Sequence, residues 1–138
     1  MKKKGFTLVE VLIIVSILAV IVSVVLPTFL SIRSKVNSRA YEKKKELILE
    51  ASKLYGLDNS KSFKMVGDSI QVTIEELIIN DYLNPDVKYG SDNCSSEYGC
   101  VINSETKESL NNLCVVITKK GINVYDAQYI ENESECSK

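Results

Sequence analysis

Three sets of side chains in this sequence have types and spacings that chemistry could use. They are a lone carboxylate, Glu10, inside an apolar run; the adjacent carboxylates Glu75 and Glu76; and four cysteines, Cys94, Cys100, Cys114 and Cys136. The chain has no histidine, so it lacks the usual general base, the Ser-His-Asp triad and imidazole metal ligands. No GxGxxG, Walker A loop or CxxC pair occurs, so nucleotide binding and thioredoxin-type redox chemistry have no support. Glu75 and Glu76 are neighbours in sequence, and on a helix such neighbours diverge, which makes them a poor catalytic pair. The chain therefore reads as a non-enzyme that needs no cofactor and no metal.

Glu10 is set apart by its surroundings. Of the 21 residues from Phe6 to Leu26, 17 are apolar. As a helix this stretch would be about 31 Å long, which matches the ~30 Å hydrocarbon core of a bilayer. Its richness in Val and Ile would suit a strand in water, but a single segment in lipid can satisfy its own backbone only as a helix. A cleaved secretory signal fits less well, because the run is long and Leu26-Pro27-Thr28 offers no small-x-small cleavage pattern. An intramembrane carboxylate costs on the order of a few kcal/mol and calls for a positive partner at the same depth. The plainer alternative is that Glu10 lies at headgroup level beside Lys2, Lys3 and Lys4.

Lys3-Lys4-Gly5-Phe6-Thr7-Leu8-Val9-Glu10, followed by sixteen uncharged residues and Pro27, resembles the N-terminus of type IV prepilins and type II secretion pseudopilins. The resemblance covers the early part of the chain. It implies cleavage by prepilin peptidase between Gly5 and Phe6 and N-methylation of the new Phe6 terminus. It also implies pairing of the Phe6 amine with Glu10 of an adjacent subunit, so that two charges costly alone are buried together and fix axial register. The implied partners are other pilins or pseudopilins, the peptidase, the membrane, and indirectly an assembly ATPase and an inner-membrane platform protein. The subunit would be a single-pass membrane protein before assembly and part of an extracytoplasmic filament afterwards. The Lys, Ile and Asn richness and the five-residue leader lean towards a Gram-positive bacterium.

The elements that must position these groups follow from the patterning. Residues 6–26 read as a membrane helix, 27–56 as an amphipathic stalk helix and 57–138 as a head; the resemblance implies in addition that 1–5 are a cleaved leader, that 6–26 form the filament core and that the head is extracytoplasmic. Phe29, Ile32, Val36, Ala40, Leu47, Ala51 and Leu54 fall near helical spacing, and Gly56 reads as the C-terminal stop. Pro27, which lacks an N–H, is expected to kink the helix, and the resemblance implies local melting just before it. After a polar linker, 70–72 reads as extended, and Thr73-Ile74-Glu75-Glu76 as a capping box opening a helix through about Tyr82, ended by Asn84-Pro85. Residues 87–89, 100–103, 113–118 and 122–130 read as strands, with Lys119-Lys120-Gly121 as a hairpin turn. The fold class expected is α+β, pilin-like: a long N-terminal helix packed on a small antiparallel sheet.

Four cysteines without histidine or CxxC spacing argue for disulfides in an oxidising space. Of three pairings, Cys94 with Cys100 and Cys114 with Cys136 are favoured, because a small head has a limited core and each bridge contributes about 2 to 4 kcal/mol. Asp92, Asn93, Ser96 and Glu97 lack the alternation and glycine of an EF-hand loop, so a solvated disulfide loop is the better reading.

The net charge of -1 averages +2 over residues 1–26, +5 over 27–64 and -8 over 65–138. The acidic head speaks against gripping DNA, and no direct nucleic-acid contact is expected. Arg33, Lys35, Arg39, Lys43, Lys44 and Lys45 outnumber the leader lysines, and by the positive-inside effect they would hold the C-terminal part in the cytoplasm, against the resemblance. Two rival functions remain: a competence-type pseudopilin for DNA uptake, and a single-pass adhesion or ligand-binding module that uses the helix only as an anchor.

Overall fold

The computed structural model describes residues 6–130. Its elements are α1 (Leu8–Asp58), a 3-10 turn (Ser60–Ser62), β1 (Ser69–Thr73), α2 (Ile74–Ile79), β2 (Cys114–Gly121) and β3 (Val124–Ile130). The chain forms two compact units, Met1–Asn37 and Ser38–Lys138, so α1 contributes to both.

In the first unit the helix is apolar and uncovered. Even Ile14, the least exposed large apolar side chain between Leu8 and Leu26, is 46% exposed. α1 is the one described helix long and apolar enough to cross a membrane. It passes Pro27 without a break in its helical assignment, and no melted turn precedes the proline in this single chain. Hydroxyls bond back to the backbone on these turns: Ser23 Oγ donates to the Val20 carbonyl at 2.7 Å, and Thr28 Oγ1 to those of Val24 (2.9 Å) and Val25 (3.0 Å). Pro27 removes the ladder bond to the Ser23 carbonyl, and these hydroxyls bond to carbonyls on either side of that gap rather than to the freed one.

In the second unit, the C-terminal part of α1 packs on a three-stranded antiparallel sheet of order β1-β2-β3, which bears out the expected α+β, pilin-like class. Val72 pairs with Val115 and Ile117 with Ala127, and all four are buried. Ile48, Phe63, Ile74, Leu77, Val101, Leu110 and Tyr125 complete the centre of the core.

The helix face that meets the core is rotated from the expected stripe. Leu47 and Leu54 are 63% and 56% exposed, whereas Ile48, Ala51, Ser52 and Gly56 are buried. Three of those four are small, which lets helix and sheet approach closely. Gly56 is accordingly not the stop. It sits inside a helix that runs on to Asp58, and a Cβ there would lie 2.8 Å from Ile117 Cγ2 and 3.1 Å from Tyr125 Cδ1.

Several other expectations shift. α2 ends at Ile79 rather than Tyr82, because Asp81 takes a left-handed conformation (φ 61°) and the Tyr82 and Leu83 amides fold back to the Leu77 carbonyl. Lys119 and Lys120 belong to β2, and the turn is Ile122-Asn123, with Asn123 at φ 58°. Asn is one of the few residues at home there, whereas Gly121 pairs with Val124. Residues 87–89 and 100–103 make only isolated bridges, Val87 with Cys100 and Ile102 with Ser109. One buried side chain adds to these backbone bonds: Asn111 accepts from the Val101 amide (3.0 Å) and donates to the Gly99 carbonyl (2.9 Å).

Candidate assembly site

The start of α1 brings Glu10 to Thr7. The Thr7 amide and hydroxyl both donate to Glu10 Oε2 at 3.2 Å, and the Glu10 amide donates back to Thr7 Oγ1 at 3.3 Å. Thr7-Leu8-Val9-Glu10 is thus a reciprocal capping box, which satisfies donors that every helix start leaves open. A carboxylate in the first turn is also favoured by the helix dipole. Sequence reasoning treated Glu10 as an orphan awaiting a partner and missed Thr7, although Thr-x-x-Glu before an apolar run is the pattern that was read at Thr73-Glu76. Among the described residues Glu10 Oε1 has no hydrogen-bond partner, so one oxygen remains open to a cation while the other caps the helix. Phe6 lies one residue before the cap and is 75% exposed. Gly5, the other half of the expected cleavage site, lies outside the described residues.

The head's own capping box is only half formed. Thr73 Oγ1 accepts from the Glu76 amide at 3.2 Å, but Glu76 Oε1 takes the Tyr55 hydroxyl at 3.1 Å instead of reaching back. Glu75 accepts a hydrogen bond from Ser96 Oγ. The adjacent carboxylates therefore serve different partners, α1 and the disulfide loop. Tyr55 is held protonated above the usual phenol range, first by burial and then by the Glu76 charge. Tyr82 is raised first by its 2.8 Å hydrogen bond to Asp58.

Cys94 and Cys100 are bonded, with Cα atoms 5.5 Å apart, as expected for the short loop. Cys114 is also disulfide-bonded, and its expected partner Cys136 lies outside the described residues. Among the described residues no cluster of three or more Cys, Asp or Glu side chains is placed to hold a metal ion.

The basic residues following the apolar segment divide by location. Lys43 pairs with Glu46 at 2.9 Å and Lys45 with Glu42 at 2.8 Å, both along α1. Lys44 is the most deeply set: its ammonium meets Asp86 Oδ2 and the Ile102 carbonyl, each at 2.6 Å, and Asp86 Oδ2 also accepts the Ile102 amide at 2.8 Å. Lys44 thereby ties α1 to the loop that carries the disulfide.

An apolar helix opening on a capped carboxylate, together with an α+β head, defines a pilin-type architecture. The prokaryotic N-terminal methylation motif matches residues 1–26, and this is the prepilin-type cleavage and methylation signature of type IV pilins and pseudopilins. The motif supports a pilin- or pseudopilin-like precursor, the proteins that carry it are structural subunits, and the helix fits membrane anchoring before incorporation into an extracellular filament. No curated protein and no solved structure matches the chain. Nothing in the motif or the fold supports the leaning towards a Gram-positive source.

Proposed function

We propose that the protein is a structural subunit of a type IV pilus or a type II secretion-like pseudopilus, assembled through its N-terminal helix after prepilin peptidase processing. The observation that carries this reading is the coincidence of the methylation motif with an exposed, membrane-length helix whose first-turn carboxylate keeps one oxygen open. Cleavage between Gly5 and Phe6 leaves an N-methylated cation at Phe6. Glu10 Oε1 of a neighbouring copy then accepts that cation while Oε2 continues to cap its own helix. In lipid such a pair is strong, because neither charge has water as an alternative. Leader residues 1–5 stay with the membrane side, residues 6–26 form the filament core, residues 27–56 the stalk, and the head the outer surface. The second disulfide, Cys114 with Cys136, pins the acidic end of the chain to β2.

Intact mass and N-terminal sequencing of protein purified from its native host test this directly. The expected terminus is N-methylated Phe6. An unprocessed Met1 terminus with no oligomer would sink the reading and favour the tethered adhesion or ligand-binding module, which needs no cleavage and no polymer. A competence pseudopilin predicts the same terminus together with loss of DNA uptake on deletion, and the -8 charge of residues 65–138 argues that any such role works without direct DNA contact. External protease applied to wall-opened cells should cut residues 65–138; protection would place the head in the cytoplasm and overturn both filament readings.

A further inference from the structure

The uncovered surface of α1 does not end with the membrane-length run. Phe29, Ile32 and Val36 recur at helical spacing past Leu26 and are 55 to 59% exposed, and they belong to the first compact unit, Met1–Asn37. At about 100° per residue, the stripe they form is bordered on one side by Arg33 and on the other by Lys35, while Ser31 and Ser34 fall on the far side.

The charges on this face say what kind of partner it suits. Between Glu10 and Glu42 the helix has no acid, and its only charges are Arg33, Lys35 and Arg39. Among the described residues the Arg33 and Lys35 side chains are exposed and make no ion pair, unlike Lys43, Lys44 and Lys45. A second copy lying alongside in register would set the same cations against each other, which is unfavourable. The place of the two charges along the helix points to lipid instead. Arg33 lies seven residues beyond Leu26, about 10 Å along the axis, and the headgroup layer reaches about 5 to 7 Å beyond the hydrocarbon. Side chains lean towards the N-terminus of a helix, here towards the bilayer, and long cationic stems bend along apolar surface, so both charges come down to the level of the lipid phosphates.

We propose that this face is a docking surface for anionic phospholipid, with the Arg33 guanidinium and the Lys35 ammonium on headgroup phosphates and Phe29 and Ile32 in the apolar boundary below them. A guanidinium can take a phosphate through two parallel N–H donors, and a cation held at a charged bilayer surface favours anionic lipid about fivefold. Arg39 stands six residues further along, about 9 Å beyond Arg33, and lies out of reach. The surface works in whichever leaflet receives it. The inference rests on the membrane reading of the helix and not on filament assembly.

The chain has no tryptophan, so Phe29→Trp places a single reporter at this end of the span, away from the leader lysines at the other. The full chain carrying it is reconstituted in vesicles that mix phosphatidylglycerol with phosphatidylcholine, with one lipid or the other brominated on its acyl chains, and quenching gives the relative occupancy of the two lipids beside the reporter. A preference for phosphatidylglycerol of about fivefold is expected, lost in about 1 M salt and in Arg33→Gln combined with Lys35→Gln, and kept in Arg39→Gln. Both substituted residues are exposed on an uncovered helix, so the double variant changes charge without disturbing a core. Equal occupancy by the two lipids, or a preference unchanged in the double variant, would overturn the proposal while leaving membrane insertion intact. Quenching by both lipids that fades as the protein-to-lipid ratio rises would give the face to a second copy and overturn it as well. A reporter that neither lipid quenches at any ratio would refute the membrane reading itself.

Discussion

Gly56→Ala tests how the head is fitted to its helix. In an ordinary helix interior the change stabilises by about 1 kcal/mol, because alanine restricts the unfolded chain and glycine does not. Here the new Cβ would sit 2.8 Å from Ile117 Cγ2, with Tyr125 Cδ1 and Cγ at 3.1 and 3.3 Å. The Ile117 methyl is attached directly to Cβ in a fully buried residue of the central strand, whose backbone is paired on both sides, so it has little room to retreat. Overpacking of this kind costs about 1 to 3 kcal/mol. The balance is a net loss of about 0 to 2 kcal/mol, with a fall in melting temperature of about 4 to 8 °C per kcal/mol for a domain near 100 residues. Near-UV circular dichroism of the full chain in detergent reads it, since the tyrosines report head packing while the apolar helix stays folded. A glycine acting as a left-handed stop would also lose stability on this change, so the deciding measurement is a cycle with Ile117→Leu, which removes Cγ2. Packing predicts that the double variant recovers about 1 kcal/mol relative to additivity. A raised melting temperature in Gly56→Ala, or strict additivity in the cycle, would refute the close-approach account.

Glu10→Ala should leave membrane insertion intact and block polymerisation, measured by fractionation and by filament shearing; normal filaments would remove the proposed role of the carboxylate. Cys94→Ser with Cys100→Ser should lower head stability by about 2 kcal/mol, as expected for a short closed loop, in thermal melts under non-reducing conditions. The raised pKa values of Tyr55 and Tyr82 mean that the folded head holds their protons more tightly than the unfolded chain. Their contribution is complete below the unfolded value of about 10 and is lost as pH rises through the folded values, so stability should fall with pH above about 10. Tyr82→Phe, which removes one of the two groups, should flatten that alkaline slope.

The fold class was legible because its signals are strong and local: a long apolar run, a second helical pattern following it, and alternating segments at 113–118 and 122–130. The Thr73 cap was legible for the same reason, since side chain and amide are three residues apart. What sequence missed depends on contacts between distant segments. Leu47 and Leu54 look like a core stripe, and only the docking of the sheet shows that the narrower Ile48, Ala51, Ser52 and Gly56 face is the one buried. Gly56 near the end of a helical pattern has the same local signature as a stop, and what separates the two is the position of Ile117, 61 residues later in the chain. The loop region 81–112 has strand-like residues but is organised by Asn111, Lys44 and a disulfide, and side-chain staples leave no periodicity to read.

The basic stretch after the apolar segment also takes on a different meaning. Counted along the sequence, Arg33, Lys35, Arg39, Lys43, Lys44 and Lys45 form one block that competes with the leader lysines for the cytoplasmic side. In the structure the last four belong to the head unit, Lys43, Lys44 and Lys45 each have an acidic partner, and Lys44 is also bonded to the backbone of the disulfide loop. Their presence has a reason in the fold, because removing the Lys44 ammonium would leave Asp86 and the Ile102 carbonyl without their shared cation. Those ion pairs explain why the three lysines are kept, but the positive-inside effect counts Lys and Arg whether or not they are paired, so the six still outnumber Lys2, Lys3 and Lys4. The charge pattern alone therefore still opposes an outward head, and the outward orientation rests on the methylation motif at residues 1–26 and on the disulfide, which calls for an oxidising space.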